Sequence, residues 1–188
     1  MAKDFNQLTT DELGQLFPIV IVDYDPDWPR LASIEKKNII KNVGKAFISR
    51  IEHIGSTAIP GLCAKPTIDF LLEIMDITNC DFLINHLNKI GYHFIPKPEN
   101  PLPHMMFAKG YLESGITGQT FHIHVRYSGD WDEIVFRDYL LKNQTVIADY
   151  ARLKRKLATE FKNDREKYTE SKTAFIKNTT LIARKNQI

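Results

Sequence analysis

The chain has 188 residues, with 25 Lys and Arg against 23 Asp and Glu, 43% hydrophobic residues and 26% charged residues; this suits one ordinary globular domain, 1–188, and excludes a disordered, collagenous or disulfide-framework chain. A formal charge of +2 argues against a nucleic-acid partner, which would need a strongly clustered basic face. Two cysteines, Cys63 and Cys80, and no long apolar run at the start point to a cytoplasmic protein with no membrane partner.

The first helix is expected to be capped by Thr9 or Thr10 and to run through Leu16, and Ile19–Val22, β-branched between Pro18 and the acidic Asp23–Asp27 turn, reads as a strand. Pro26 and Pro29 suit the first turn of a helix whose apolar face is Leu31, Ile34, Ile39, Ile40 and Val43, ending near Gly44. Phe47–Ile54 is the next expected strand. The Gly55-Ser56-Thr57 turn and a loop with Pro60, Gly61 and Pro66 lead into Thr67–Ile74, a near-continuous apolar run typical of a buried strand and interrupted by Asp69.

Asn79 or Asp81 should cap a helix carrying Phe82, Leu83, Leu87 and Ile90, which Gly91 ends. Met105–Tyr111 and Thr120–Tyr127 read as strands, with Gly115–Gly118 as the hairpin connection. Beyond Asp130 the pattern is helical: Val146, Tyr150, Leu153, Leu157 and Phe161 recur at helical spacing, and a last helix aligns Tyr168, Phe175 and Ile182. Trp28 and Trp131 belong in the core or at its rim.

Chemistry concentrates in His53–Asp69. A glycine and a hydroxyl directly after a strand offer close backbone approach and N–H donors, as a phosphate requires, so Gly55, Ser56 and Thr57 are candidates. Lys65 adds a cation, and Asp69 on the next strand can hold a divalent ion. The same residues also suit plain turns and a hydrogen-bonded carboxylate. In Phe121-His-Ile-His-Val-Arg126, alternation puts His122, His124 and Arg126 on one strand face, where the imidazoles can bind a metal or an anion, or simply face solvent.

His53–Asp69, Tyr24-Asp-Pro-Asp-Trp28, Phe121-His-Ile-His-Val125, Phe136-Arg-Asp-Tyr-Leu140, Tyr150-Ala-Arg-Leu-Lys154 and Tyr168-Thr-Glu-Ser-Lys172 together resemble the GrpB family, in its order, from about Ile19 to Ala183. The resemblance implies an α/β (α+β) fold: a nucleotidyltransferase-like mixed β-sheet flanked by helices, with a helical C-terminal region from about residue 130. A similar domain is fused to some bacterial dephospho-CoA kinases. Carried over, the family motifs assign Asp69 and His124 as catalytic and Asp69, His122 and His124 as ligands of a divalent Mg, Mn or Zn ion. Gly55, Ser56, Thr57, Lys65, Arg137, Tyr168 and Lys172 within these segments, and Arg126 just beyond one of them, are the phosphate- or nucleotide-binding candidates, with Tyr168 able to stack on a base. Lys154 and Arg155 are further cations on the same helices.

The resemblance also implies membership of the nucleotidyltransferase fold superfamily, whose pattern sets two carboxylates on alternate positions of one strand, about 6–7 Å apart, to share metal ions during phosphoryl transfer. Leu71 occupies the second position here. Glu73, roughly 13 Å from Asp69 at strand rise, is too far to share an ion. The expectation is therefore a nucleotidyltransferase-like protein that binds a nucleotide or phosphorylated small molecule, with metal-dependent nucleotidyl transfer as its activity; the alternative is a catalytically inactive regulatory module. A one-metal phosphate-ester hydrolase is a third reading, resting on the His-x-His pair.

Overall fold

The computed structural model describes residues 9–113 and 115–186. Ile48–Ile54 (β1), Thr67–Ile74 (β2), His93–Pro96 (β3), Met105–Leu112 (β4) and Gly115–Tyr127 (β5) form one mixed sheet in the order β1-β2-β5-β4-β3. The central pair β2 and β5 is parallel; the other neighbours are antiparallel. Helices Thr10–Leu16 (α1), Trp28–Val43 (α2), Cys80–Asn88 (α3), Asp132–Leu141 (α4), Gln144–Glu160 (α5) and Arg165–Lys185 (α6) flank it. Among the described residues no helix is long and apolar enough to cross a membrane.

Period-two alternation in the central strands separates two environments. Ile68, Phe70, Leu72 and Ile74 share one face with Phe121, Ile123 and Val125, and they bury against Trp28, Ile39 and Val43 of α2 and Leu83 and Leu87 of α3. Full burial of such side chains stabilises the fold by about 1.5–3 kcal/mol each. The opposite face carries Thr67, Asp69, Leu71 and Glu73 beside Thr120, His122, His124 and Arg126. Most of its polar groups are matched: Arg50 pairs with Glu73, Arg126 Nη2 lies 2.8 Å from Glu133 Oε1, and the Thr67 and Thr120 hydroxyls lie 2.9 Å apart.

The C-terminal helices are anchored through the β1–β2 connection, where Ile59 and Leu62 pack with Phe136, Leu140, Ile147 and Tyr150. A smaller cluster joins Ile19, Leu157 and Tyr168. At the far end of α6, Arg184 binds Asp130 and Asp132, at 2.7 and 2.6 Å. The helices are thereby held close to the Gly55–Pro66 segment.

Most elements lie where the sequence pattern puts them, including α1, capped by Thr9, and the strand Thr67–Ile74. Ile19–Val22 is not a strand. Its Ile19 N–H donates to Lys162 O, a single bridge joins Val22 to Ala64, and Val20 is half exposed, so among the described residues no strand runs alongside. Gly115–Gly118 belong to β5 rather than to a turn, because pairing reaches Leu112 opposite Gly115. The short edge strand β3 lies outside the elements expected from the residue pattern. On α6, Tyr168 is buried but Ile182 is 50% exposed, and Thr179, Thr180 and Ala183 bury instead. A strict seven-residue stripe drifts around a straight helix of 3.6 residues per turn.

Asn79 is the cap of α3, its side chain accepting from Phe82 N at 3.1 Å. Asn79→Ala is expected to cost about 1 kcal/mol, read as a lower urea midpoint at unchanged m; an unchanged midpoint would remove the cap from the account.

Candidate functional site

Asp69 sits on β2 with His122 as its partner across the parallel pair, and Leu71 is opposite His124. Strand alternation then sends all three polar side chains to the same face. Asp69 Oδ1 lies 3.2 Å from His122 Nδ1 and 3.8 Å from His124 Nε2. Burial pushes the Asp69 carboxyl up, but the hydrogen bonds and charges of His122 and His124 outweigh it and hold the group well below the usual carboxylate range. The Asp69 side chain keeps 26% exposure, so an approaching group can reach it.

One donor atom from each of Asp69, His122 and His124 falls within 4.8 Å of the others. Two donors on one tetrahedral ion at 2.0–2.1 Å stand roughly 3.3 Å apart. The separations to Asp69 bracket that value, so the residues fit a divalent ion with positions left over for a ligand. Two imidazoles and one carboxylate favour Mn²⁺ or Zn²⁺ over Mg²⁺, which prefers oxygen donors.

Gly55 explains how the turn meets this cluster. Its φ is +72°, and a Cβ there would lie 2.6 Å from Asp69 Oδ2, so the backbone and carboxylate approach closely because the side chain is absent. Ser56 opens the short 3-10 turn Ser56–Ala58 and lies beside Tyr150. Thr57 is buried within the turn: its hydroxyl donates to Thr67 O at 3.2 Å and receives His53 Nε2 at 2.9 Å. Burial, reinforced by Arg137, lowers the His53 imidazole to about 4, which keeps it neutral.

A group of lysines accompanies the cluster. Burial lowers Lys65 to about 8, with Arg165 contributing, and lowers Lys172 to about 7, with Lys65 and Lys154 contributing. Lys154 is 2% exposed, and burial brings it to about 8 while its ammonium donates to Cys63 O. Among the described residues none of the three pairs with a carboxylate, although Asp69 is near enough to favour charge on Lys65 and Lys172. Tyr168 is 1% exposed and faces both Lys172 Nζ, 4.1 Å from its ring centre, and Lys65 Nζ at 5.7 Å. Its ring is thus engaged with ammonium groups and presents almost no surface on which a base could stack.

Two arginines of the expected set have protein partners. Arg126 is buried and donates to Glu133 and to Val125 O. Arg137 binds Glu52 at 3.0 Å, Asp138 at 2.8 Å and His53 O at 2.9 Å. Arg137 thereby holds the backbone of His53 next to the Gly55 turn. Tyr111, Tyr150 and Arg165 also surround the site; Tyr150 opens one of the segments of the family resemblance, whereas no sequence motif singles out Tyr111 or Arg165, except that Gly110 inside a strand pattern signals a bulge beside Tyr111.

The family described as GrpB protein matches residues 18–181. A UPF0157 protein of Halalkalibacterium halodurans is 32% identical over 169 residues, covering 87% of this chain and 84% of that one. The glutamate-rich protein GrpB of Alkalihalophilus pseudofirmus is 32% identical over 161 residues, covering 84% and 91%. A dephospho-CoA kinase of Mycolicibacterium paratuberculosis is 26% identical over 190 residues, covering 89% of this chain but 46% of the kinase. The crystal structure of a conserved protein GrpB from Enterococcus faecalis superposes with a TM-score of 0.76 at 30% identity, covering 89% of this chain and 99% of that one.

Proposed function

This chain belongs to the GrpB family, and on that premise we propose that it binds a nucleotide or another phosphorylated small molecule together with one divalent transition-metal ion. The observation that carries the reading is the meeting of two unlike groups: the Asp69, His122 and His124 cluster, and the lysines Lys65, Lys154 and Lys172, unmatched by carboxylates among the described residues. Lys154 is buried and Lys65 and Lys172 are half-buried, and withdrawing cations from water without counterions is costly unless an anion joins them. A phosphate group answers both halves, since its oxygens can complete the coordination of an ion and accept from ammonium donors.

When bound, a divalent ion would polarise a phosphoryl oxygen and, with the lysines, neutralise charge developing on it. Asp69 and the imidazoles hold that position, Lys65 and Lys172 orient the anion, and Tyr168 holds the two ammonium groups in place. Metal-dependent nucleotidyl transfer is the activity that this arrangement best supports. The similarity to a dephospho-CoA kinase region agrees with a nucleotide-related ligand.

A second reading, a receptor without turnover, draws on the rest of the polar face. Leu71 is fully buried at the position of the second carboxylate, Glu73 is bound to Arg50, and Glu52, beside Leu71 on β1, is bound to Arg137. No further carboxylate among these is free to share an ion.

Titration calorimetry of nucleoside triphosphates and inorganic pyrophosphate, with and without Mn²⁺ or Zn²⁺, tests the proposal. Heat of binding that depends on the ion is expected. Absence of binding by every phosphorylated compound under both conditions would overturn it, and product analysis of a binding mixture separates transferase from receptor.

A further inference from the structure

We propose that Tyr111 is the positioning residue of this site, and that its hydroxyl allows the proton of His122 to change nitrogen when a metal ion binds. The second half rests on the metal reading above; the first stands on the hydrogen bonds alone. Tyr111 Oη lies 2.9 Å from His122 Nε2, while Nδ1 of the same ring lies 3.2 Å from Asp69 Oδ1. A neutral imidazole has one donor and one acceptor nitrogen, and an ionised carboxylate only accepts. With the ring neutral and no ion bound, Nδ1–H therefore donates to Asp69 and Nε2 accepts from the Tyr111 hydroxyl.

An ion shared by Asp69 and His122 requires the Nδ1 lone pair. The ring stays neutral if one proton leaves Nδ1 for solvent and one is taken up at Nε2, which then donates to Tyr111 Oη. A phenol both donates and accepts, so the same contact serves both states. A lysine there would serve the first alone, and a carboxylate the second alone. Partners of this kind on the far nitrogen commonly fix ligand orientation and affinity.

The strand is built irregularly to achieve this contact. Ala108 stands opposite His122, and the next residue, Lys109, reaches the other side of the sheet to meet Glu35 of α2 at 2.8 Å. Regular alternation would send Tyr111 after Lys109, away from His122. The register shifts between these two residues at Gly110, whose φ is +91° and where a Cβ would lie 2.8 Å from Gln119 O. The bulge returns Tyr111 to the His122 face, a common use of bulges beside functional sites. Phe17 meets the phenol ring edge-on at 5.4 Å, and the ring lies alongside His122 at 5.6 Å.

Nitrogen-15 spectra of the histidine rings in the full chain test the proposal. In the metal-free wild type, His122 is expected to show a protonated Nδ1 and an acceptor Nε2, and saturating Zn²⁺ should invert the two. Tyr111→Phe keeps the ring and its Phe17 contact; it should weaken Zn²⁺ binding by about 10–100-fold and leave the Nε2 proton exchanging freely with water. Zn²⁺ bound without inversion, or wild-type affinity in a folded Tyr111→Phe protein, would overturn the role of Tyr111 while leaving the metal reading intact. Failure of the wild type to bind Zn²⁺ would overturn the metal reading and the proton change with it. Because the inversion is read in the wild type, a misfolded variant would not remove the test.

Discussion

Asp69→Asn is expected to weaken Zn²⁺ or Mn²⁺ binding by at least about 100-fold, more than the usual loss from changing a residue that merely supports a ligand. Asp69 Oδ1 is the point on which both imidazoles converge, at 3.2 and 3.8 Å. Asparagine keeps the shape and an acceptor oxygen but removes the charge. Two imidazoles alone would then face the ion, and metal-dependent nucleotide binding should disappear with it. Stability should change less, by about 1 kcal/mol at neutral pH, because His122 can still donate to the amide oxygen.

The pH dependence of stability supplies an independent check on Asp69. Its carboxyl is held below the unfolded value by His122 and His124, so its stabilisation is present above about pH 4 and fades as pH falls below that. Asp69→Asn should therefore flatten the acid limb of the stability curve relative to wild type. An unaltered metal isotherm would sink the ligand assignment; an unaltered acid limb would sink the account of the Asp–His contacts.

The pattern of residues reveals the apolar half of this fold more readily than the polar half. Ile68, Phe70, Leu72 and Ile74 declare a buried face by composition, and Asp69 among them requires a partner, which strand spacing supplies as His122 and His124. Pairing of β2 with β5 cannot be read locally, because it joins segments 53 residues apart, as in Asp69 and His122. The destinations of Arg126 and Arg137 are also tertiary facts: a guanidinium does not reveal in one dimension whether it will meet Glu133, Glu52 or a phosphate. Tyr111 shows a further limit. The alternation rule assigns it to the wrong face, and only the shift at Gly110 corrects that. Ile19–Val22 has strand-like residues, yet among the described residues it meets a single bridge, Val22 to Ala64, and composition does not reveal whether a strand will run alongside.

Lys172→Met is expected to stabilise the ligand-free protein by about 1–2 kcal/mol at pH 7, after allowance for partial solvent access, while weakening pyrophosphate or nucleotide binding by about 1–3 kcal/mol. Methionine retains much of the aliphatic bulk beside Tyr168 and removes an ammonium that burial, Lys65 and Lys154 have lowered to about 7. A lysine whose folded value lies below its ordinary 10.5 binds fewer protons folded than unfolded between those values, so wild-type stability rises with pH across that window. Its penalty is full below about pH 7 and vanishes above about pH 10.5; the variant should lose this rise. Anion binding has the opposite sign, because phosphate oxygens favour the charged ammonium: wild-type affinity should fall as pH climbs through 7 to 9, with Lys65 and Lys154, both near 8, extending the fall beyond Lys172. Urea melts at pH 7 and 9 and pyrophosphate titrations over the same range measure both effects. A destabilised variant that still binds pyrophosphate with wild-type affinity and pH dependence would make Lys172 a packing residue and detach the lysine group from the anion site.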